Sequence, residues 1–136
     1  MGTMYTVTKE IHFCYGHRLL DYQGKCRQLH GHNGKVEIEL SASKLDKLGM
    51  VIDFDRIKVV IKDWIDENLD HRMILHKKDP FLPFFEKHKE PVFLIDHNPT
   101  AENIARVIFE YAKKKGLPVK RVTLWETPSS FAAYSG

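Results

Sequence analysis

A chain of 136 residues with 43% hydrophobic content has the apolar mass for one packed core, so residues 1–136 read as a single domain. The formal charge of +3 is mild and Lys113-Lys114-Lys115 is the only run of three lysines, which argues against a nucleic-acid footprint and suits an anionic small substrate. No apolar run approaches a membrane span, nothing at the N-terminus resembles a signal peptide, and two cysteines are too few for a disulfide scaffold. A cytoplasmic protein with free thiols and no membrane partner is expected.

In chain order, Thr3 to Gly16 alternates Tyr5, Val7, Ile11 and Phe13 against Thr6, Thr8, Glu10 and His12, the pattern of a first strand. Arg18 to Gln28 is a loop carrying Cys26. A second strand runs from about His30 to Ala42, and Asp46 to Gly49 makes a turn. Asp53 is placed to cap a helix whose stripe is Phe54, Ile57, Ile61, Trp64 and Ile65, ending near Asn68. Asp70 and His71 then fall at or just past its end. Residues 76–90 show no clear periodicity and read as a long surface loop, with a short strand at Val92 to Ile95. Thr100 caps a second helix carrying Ile104, Val107, Ile108 and Tyr111, and Gly116 suits its exit. Val119 to Thr127 and Ser130 to Tyr134 complete the order β-β-α-α-β-β. That order is an α+β domain, an antiparallel sheet with two helices on one face. A small sheet leaves its outer strands unpaired, and unpaired edges invite association, so an oligomer closing into a ring is expected.

The chemistry lies in Cys26-Arg27-Gln28-Leu29-His30-Gly31-His32, read together with His17. Side chains alternate faces along a strand, so His30 and His32 share a face with Val36, Ile38 and Leu40, as His17 does with Phe13 and Tyr15. If the two strands pair, three imidazoles converge from one sheet face. A lone histidine is usually structural or solvated, but three neutral histidines with an open fourth position make a catalytic zinc site. Cys26, between Lys25 and Arg27, is placed to act as a thiolate base or nucleophile, or else to close the site as a fourth ligand. Cys14 has the opposite parity from Phe13 and Tyr15 and reads as packing. Asp70-His71 is a commonplace dipeptide that becomes a proton relay when the carboxylate orients the imidazole. Glu126 shares the apolar parity of Val122 and Leu124, and a carboxylate there needs a cationic or ligand partner. Arg18, Arg27, Lys25 and Lys77 are candidates for phosphate contact.

These residues fall in an ordered set: Phe13-Cys14-Tyr15-Gly16-His17-Arg18-Leu19, Cys26 and after three intervening residues His30-Gly31-His32, Val51-Ile52-Asp53-Phe54, Leu69-Asp70-His71, Pro99-Thr100-Ala101-Glu102-Asn103 and Trp125-Glu126-Thr127. With that set the chain resembles the 6-pyruvoyl-tetrahydropterin synthase / 6-carboxytetrahydropterin synthase family from end to end. The resemblance implies a tunnelling fold, with subunits forming rings around a central barrel, typically a homohexamer of two stacked trimers with active sites at subunit interfaces. It further implies that His17, His30 and His32 hold Zn2+, that Cys26 is the proton-abstracting base, and that Asp70 and His71 are the relay. Glu126 would anchor the pterin, and Thr100 and Glu102 match a segment bordering the pterin pocket.

The cysteine spacing looks like that of the bacterial 6-carboxytetrahydropterin synthases of queuosine (7-deazapurine) biosynthesis. The expected activity is therefore a zinc-dependent lyase acting on 7,8-dihydroneopterin triphosphate. A pyruvoyl-forming synthase is the near alternative, and a non-catalytic zinc module closed by Cys26 is the alternative of another class. The chain departs from the family's pattern at Cys14-Tyr15-Gly16, where small residues often precede the first histidine. It departs again at Asn33-Gly34, where an aromatic often follows His-Gly-His.

Overall fold

The computed structural model describes residues 2–136. Its frame is a curled six-stranded mixed sheet in the order β4-β3-β1-β2-β5-β6. The strands are β1 (Tyr5–His17), β2 (His30–Ala42), β3 (Arg72–His76), β4 (Val92–Ile95), β5 (Val119–Thr127) and β6 (Ser130–Tyr134). Four of the expected strands form the antiparallel part, with β1 on β2, β2 on β5 and β5 on β6, and the expected short strand at Val92 to Ile95 is β4. Beyond expectation, β3 joins the open edge of β1 in parallel and β4 pairs with β3 in parallel, which makes the sheet mixed.

Helix α1 (Phe54–Ile57), a π-helical segment (Lys58–Lys62) and α2 (Asp63–Asn68) follow one another without leaving helical backbone. Asp53 caps the first turn as expected, its carboxylate accepting from the Asp55 amide at 2.9 Å. The long helix α4 (Ala101–Lys114) is capped by Thr100, whose hydroxyl accepts from the Asn103 amide at 3.1 Å. Its polar and apolar residues segregate, so Ile104, Ala105, Ile108 and Ala112 are buried while Glu102, Arg106 and Glu110 face solvent.

One apolar layer joins these elements. Ile11, Val36, Ile38, Leu40, Val122 and Leu124 from the sheet meet Ile57, Ile61, Ile65, Ile104 and Ile108 from the helices, all 2% exposed or less. Burial of that extent removes every large side chain of the layer from water, the main favourable term in folding.

The expected loop at 76–90 is corrected. His76 ends β3, and residues 82–87 form α3 (Leu82–Lys87) with Phe85 buried. The segment is held by Asp79, whose side chain has no solvent exposure and binds Arg18 Nε at 2.8 Å. A buried carboxylate with a charged partner ties this connection down where a free loop would carry solvated groups.

Candidate metal and pterin site

Strand register builds the site. His17 on β1 lies directly opposite His30 on β2, and His32, two residues along, lies opposite Tyr15. Period-2 alternation turns all three imidazoles to the core face, at the end of the sheet where its apolar layer stops. Their ring centroids stand 4.4, 5.1 and 5.2 Å apart. His17 is buried and His30 and His32 are half-buried.

Backbone carbonyls orient two of the three rings. His17 Nδ1 donates to the Pro99 carbonyl at 2.6 Å and His30 Nδ1 to the Gln28 carbonyl at 2.8 Å. A protonated Nδ1 leaves Nε2 as the lone-pair nitrogen, the arrangement that metal-ligating histidines adopt. His17 Nε2 and His32 Nε2 are 3.2 Å apart. Two nitrogens bound about 2.0–2.1 Å from one tetrahedral ion lie roughly 3.3 Å apart, so this pair is spaced as two ligands of a single metal ion would be. The ligand atoms of all three histidines lie within 4.8 Å of one another, and Cys26 is outside this group.

Glu126 approaches the same point from β5. It follows Trp125, which pairs with Lys35 at the end of the β2–β5 ladder. Its Oε2 is 2.8 Å from His32 Nε2 and 3.5 Å from His17 Nε2, so the partner that an apolar-face carboxylate requires is the histidine pair. Burial lowers the His17 pKa, opposed by the Pro99 carbonyl and the Glu126 charge, which keeps this imidazole suited to ligation in its neutral form. Burial, reinforced by Glu126, pushes the Tyr15 phenol far above its ordinary range.

The Asp70-His71 pair is built on different supports. Asp70 Oδ1 accepts from the Cys14 amide at 2.9 Å, and the His71 amide donates to the Cys14 carbonyl at 2.7 Å. Asp70 Oδ2 then holds His71 Nδ1 at 2.9 Å. Burial favours the protonated form of Asp70, but the Cys14 amide, His71 and Lys62 outweigh it and hold its pKa below the ordinary carboxylate value. His71 has φ +59°, a left-handed conformation uncommon for a side-chain-bearing residue. Cys14, expected as packing, lies instead on the sheet face away from the core. Its thiol donates to Asn33 Oδ1 at 3.0 Å and stands with Asp70 and His71. Parity alone could exclude Cys14 from the core but could not foresee that the turn leading into β3 would bring His71 to its side. A cavity of about 620 Å³ spans both sides of this sheet end, lined by Cys14, His30, His32, Asn33, His71 and Met73 among others.

The remaining expectations divide. Cys26 sits half-buried in a short 3-10 turn (Lys25–Arg27), and its carbonyl accepts from the Leu19 amide. Among the described residues its thiol has no hydrogen-bond contact with the histidines or with Asp70-His71. Thr100 is the helix cap and Glu102 is exposed; neither lines the large cavity, and the segment reaches the site through the Pro99 carbonyl. Arg18 is committed to Asp79 and stacks 3.8 Å over Phe81, and Lys77 pairs with Asp96 at 3.1 Å. Lys25 and Arg27 have no ion pair among the described residues, which leaves them as the free cations beside Cys26. Sequence reasoning missed Asn98, whose side chain bonds both backbone groups of Leu20 and so holds the loop after β1 against the start of α4.

A model of the family described as 6-pyruvoyl tetrahydropterin synthase matches residues 6–136. The chain belongs to this family. Among curated members it is similar to the 6-carboxy-5,6,7,8-tetrahydropterin synthase of Rickettsia felis, 42% identical over 139 residues covering 94% of this chain and 98% of that protein. The enzyme of the same name from Haemophilus influenzae is 34% identical, covering 96% and 99%. Among solved structures, an uncharacterized protein of Wolinella succinogenes superposes with a TM-score of 0.81 at 30% identity, covering 98% of this chain and 99% of that one. The 6-pyruvoyl tetrahydropterin synthase of Caenorhabditis elegans gives 0.74 at 26%, covering 99% and 97%. As a family member the chain is a tetrahydropterin synthase-type enzyme with an α+β fold. No described helix is long and apolar enough to cross a membrane.

Proposed function

We propose that the chain is a zinc-dependent 6-carboxy-5,6,7,8-tetrahydropterin synthase. It would convert 7,8-dihydroneopterin triphosphate to 6-carboxytetrahydropterin, acetaldehyde and triphosphate, in the cytoplasm and in the service of queuosine biosynthesis. The observation that carries this reading is the histidine cluster, in which His17 and His30 direct Nδ1 to backbone carbonyls and the ligand atoms of His17, His30 and His32 lie within 4.8 Å of one another. Relatives named for that activity, similar over nearly their whole length, support the choice of branch. The absence of Cys26 from the ligand group counts against a closed, purely structural metal module.

His17, His30 and His32 would hold zinc, which when bound supplies Lewis-acid polarisation of the substrate's side-chain oxygens. The chain's own residues do the rest. Glu126 accepts from the amino and N–H donors of the pterin and so fixes the ring, a positional contribution that lets modest groups act fast. Cys26, flanked by Lys25 and Arg27, removes a proton from the substrate side chain as thiolate. His71 carries a proton on the opposite side. Its Nδ1–H is committed to Asp70, so Nε2 is the atom that takes and returns the proton. Thr100 and Glu102, on the segment that meets His17 through the Pro99 carbonyl, would border the pterin pocket of the complete site.

Within one chain, Cys26 and the Asp70-His71 pair stand on separate supports. We therefore place the complete site between copies, in a ring of trimers stacked as a hexamer. The free edges β4 and β6 support this, because Leu94 and Phe131 on them are 46% and 57% exposed and their ladders are open to pairing.

The test is product identification by mass spectrometry after incubating zinc-loaded protein with 7,8-dihydroneopterin triphosphate. Acetaldehyde with 6-carboxytetrahydropterin supports the reading, 6-pyruvoyltetrahydropterin moves the chain to the other branch, and unchanged substrate refutes it. Cys26→Ala is expected to retain zinc and lose turnover; normal turnover would remove Cys26 from the base role.

A further inference from the structure

The two departures from the family's pattern, Tyr15 and Gly34, meet in the structure. They sit on paired strands and face the same side, Tyr15 opposite His32 and Gly34 opposite Phe13. A Cβ added at Gly34 would stand 3.0 Å from Tyr15 Cε1 and 3.4 Å from Leu124 Cδ1. Any larger side chain at position 34 would displace the phenol ring, so the bare position on β2 is what admits the aromatic from β1. The ring is fixed on three sides, stacked on Phe13 at 5.3 Å, edge-on to His17 at 5.2 Å and tilted against His32 at 5.6 Å.

Packing alone would be served by phenylalanine, since burying a hydroxyl costs free energy unless it is hydrogen-bonded. Tyr15 is 3% exposed, and among the described residues its Oη is the one buried side-chain polar atom without a hydrogen-bond partner. The acceptor that acts on it is the Glu126 carboxylate, anchored on the His32 ring against which the phenol packs; it raises the phenol pKa through its charge and its acceptor oxygen, without reaching hydrogen-bond geometry with Oη. Glu126 itself is held by His32 Nε2 at 2.8 Å. That bond requires a proton on Nε2, and an Nε2 that carries a metal has none to give. When the histidines serve as ligands, Glu126 loses its partner and the donor left beside it is the Tyr15 hydroxyl.

We propose that Tyr15 is a positioning residue that takes over the Glu126 carboxylate when the histidines bind metal, holding it off the ion and turned toward the N–H donors of a pterin. The inference rests on the functional reading above and adds the group that sets the anchor's orientation. Gly34 is its companion, the gap through which the phenol reaches.

The test compares wild type, Tyr15→Phe, Glu126→Ala and the double variant, zinc-loaded and metal-free. Neopterin affinity is measured by calorimetry and Tm by thermal unfolding at fixed protein concentration. Tyr15→Phe is expected to keep its zinc and bind neopterin about tenfold more weakly, the loss of one charge-assisted hydrogen bond. In the Glu126→Ala background the same change should cost nothing further. Tyr15→Phe should also lower the Tm of the zinc-loaded protein while raising the metal-free Tm, where the hydroxyl is buried without a partner, a zinc dependence that a packing role would not produce. Unchanged neopterin affinity in Tyr15→Phe, or additive losses in the double variant, overturns the proposal. A wild type that takes up zinc but binds no neopterin refutes the functional reading instead. The Tm comparison then decides on Tyr15 alone, and an equal effect in both metal states overturns its role.

Discussion

Removal of the Asp79 carboxylate tests how the segment after His17, the first histidine of the cluster, is anchored. Asp79 binds Arg18 Nε at 2.8 Å with its side chain wholly buried, and its other oxygen accepts from the Phe81 amide at 2.8 Å. Arg18 follows His17 directly, stacks on Phe81, and reaches the Arg27 carbonyl at 3.3 Å beside Cys26. Deleting one member of a buried pair costs about 3–5 kcal/mol, because the remaining charge stays desolvated and unpaired. Here the Arg18 side chain keeps 13% exposure and two other contacts, which argues for the lower end, ~3 kcal/mol. In a domain of this size that corresponds to a fall in Tm of roughly 10 °C. The assay is urea unfolding of Asp79→Ala, Arg18→Met and the double variant, with chelator present so that metal linkage does not enter. The double variant should recover much of the loss, since no charge is then stranded. A cost for Asp79→Ala below about 1 kcal/mol, or additivity within about 0.5 kcal/mol, would refute the claim that this pair anchors the segment.

The other predictions concern the relay and the metal. The Asp70 pKa is held below its ordinary value of 3.8, so the stabilisation from its charged form is complete above that value and lost as pH falls through the lower folded one. The stability gap between wild type and Asp70→Asn should therefore be flat above about pH 5 and shrink below about pH 4, read from urea midpoints across that range. A gap that instead widens toward acid would show that the carboxyl is not held down by folding. His30→Ala removes one of the three proposed ligands and should abolish stoichiometric zinc retention after dialysis while leaving the metal-free Tm close to wild type. Retention at wild-type stoichiometry would take His30 out of the donor set. Chelation of the wild type should lower its Tm, because an ion bound only by the folded state stabilises it by mass action.

What was legible in the sequence follows from what has a period. His17, His30 and His32 could be placed on one face because strand parity is fixed once two strands pair, and the register that sets His17 against His30 obeys it. The capping roles of Asp53 and Thr100 were equally readable, since each side chain needs only its own helix start. Strand β3 was not readable. Its five residues follow a helix with no turn signal, and its parallel partners lie far off in sequence, so nothing local announces the pairing. Helix α3 has six residues and one buried side chain, too little for a period to emerge. Misplacing Cys14 followed from missing β3, because β3 brings the face away from the core into contact with Asp70 and His71. Roles that depend on which nitrogen a histidine offers were also beyond reach, since they are set by the carbonyls of Pro99 and Gln28.

The left-handed backbone at His71 bears on how the relay pair is held in place. A residue with a Cβ held at φ +59° costs of order 1 kcal/mol or more and persists only where its surroundings over-determine it. Those surroundings are visible. The Asp70 amide bonds the Ile65 carbonyl at the helix end, and the His71 amide and the Asp70 carboxylate grip the carbonyl and amide of a single residue, Cys14. Glycine at position 71 would relieve the strain and keep the backbone bonds, but it would remove the imidazole that Asp70 orients. Strain of this kind offers packing no advantage, because His71 is exposed and buries nothing. A fixed, solvent-facing imidazole with its Nδ1 already committed supports the proposed role in which the other nitrogen handles a proton. Its place on the rim of the cavity that His30 and His32 also line says where that proton would move.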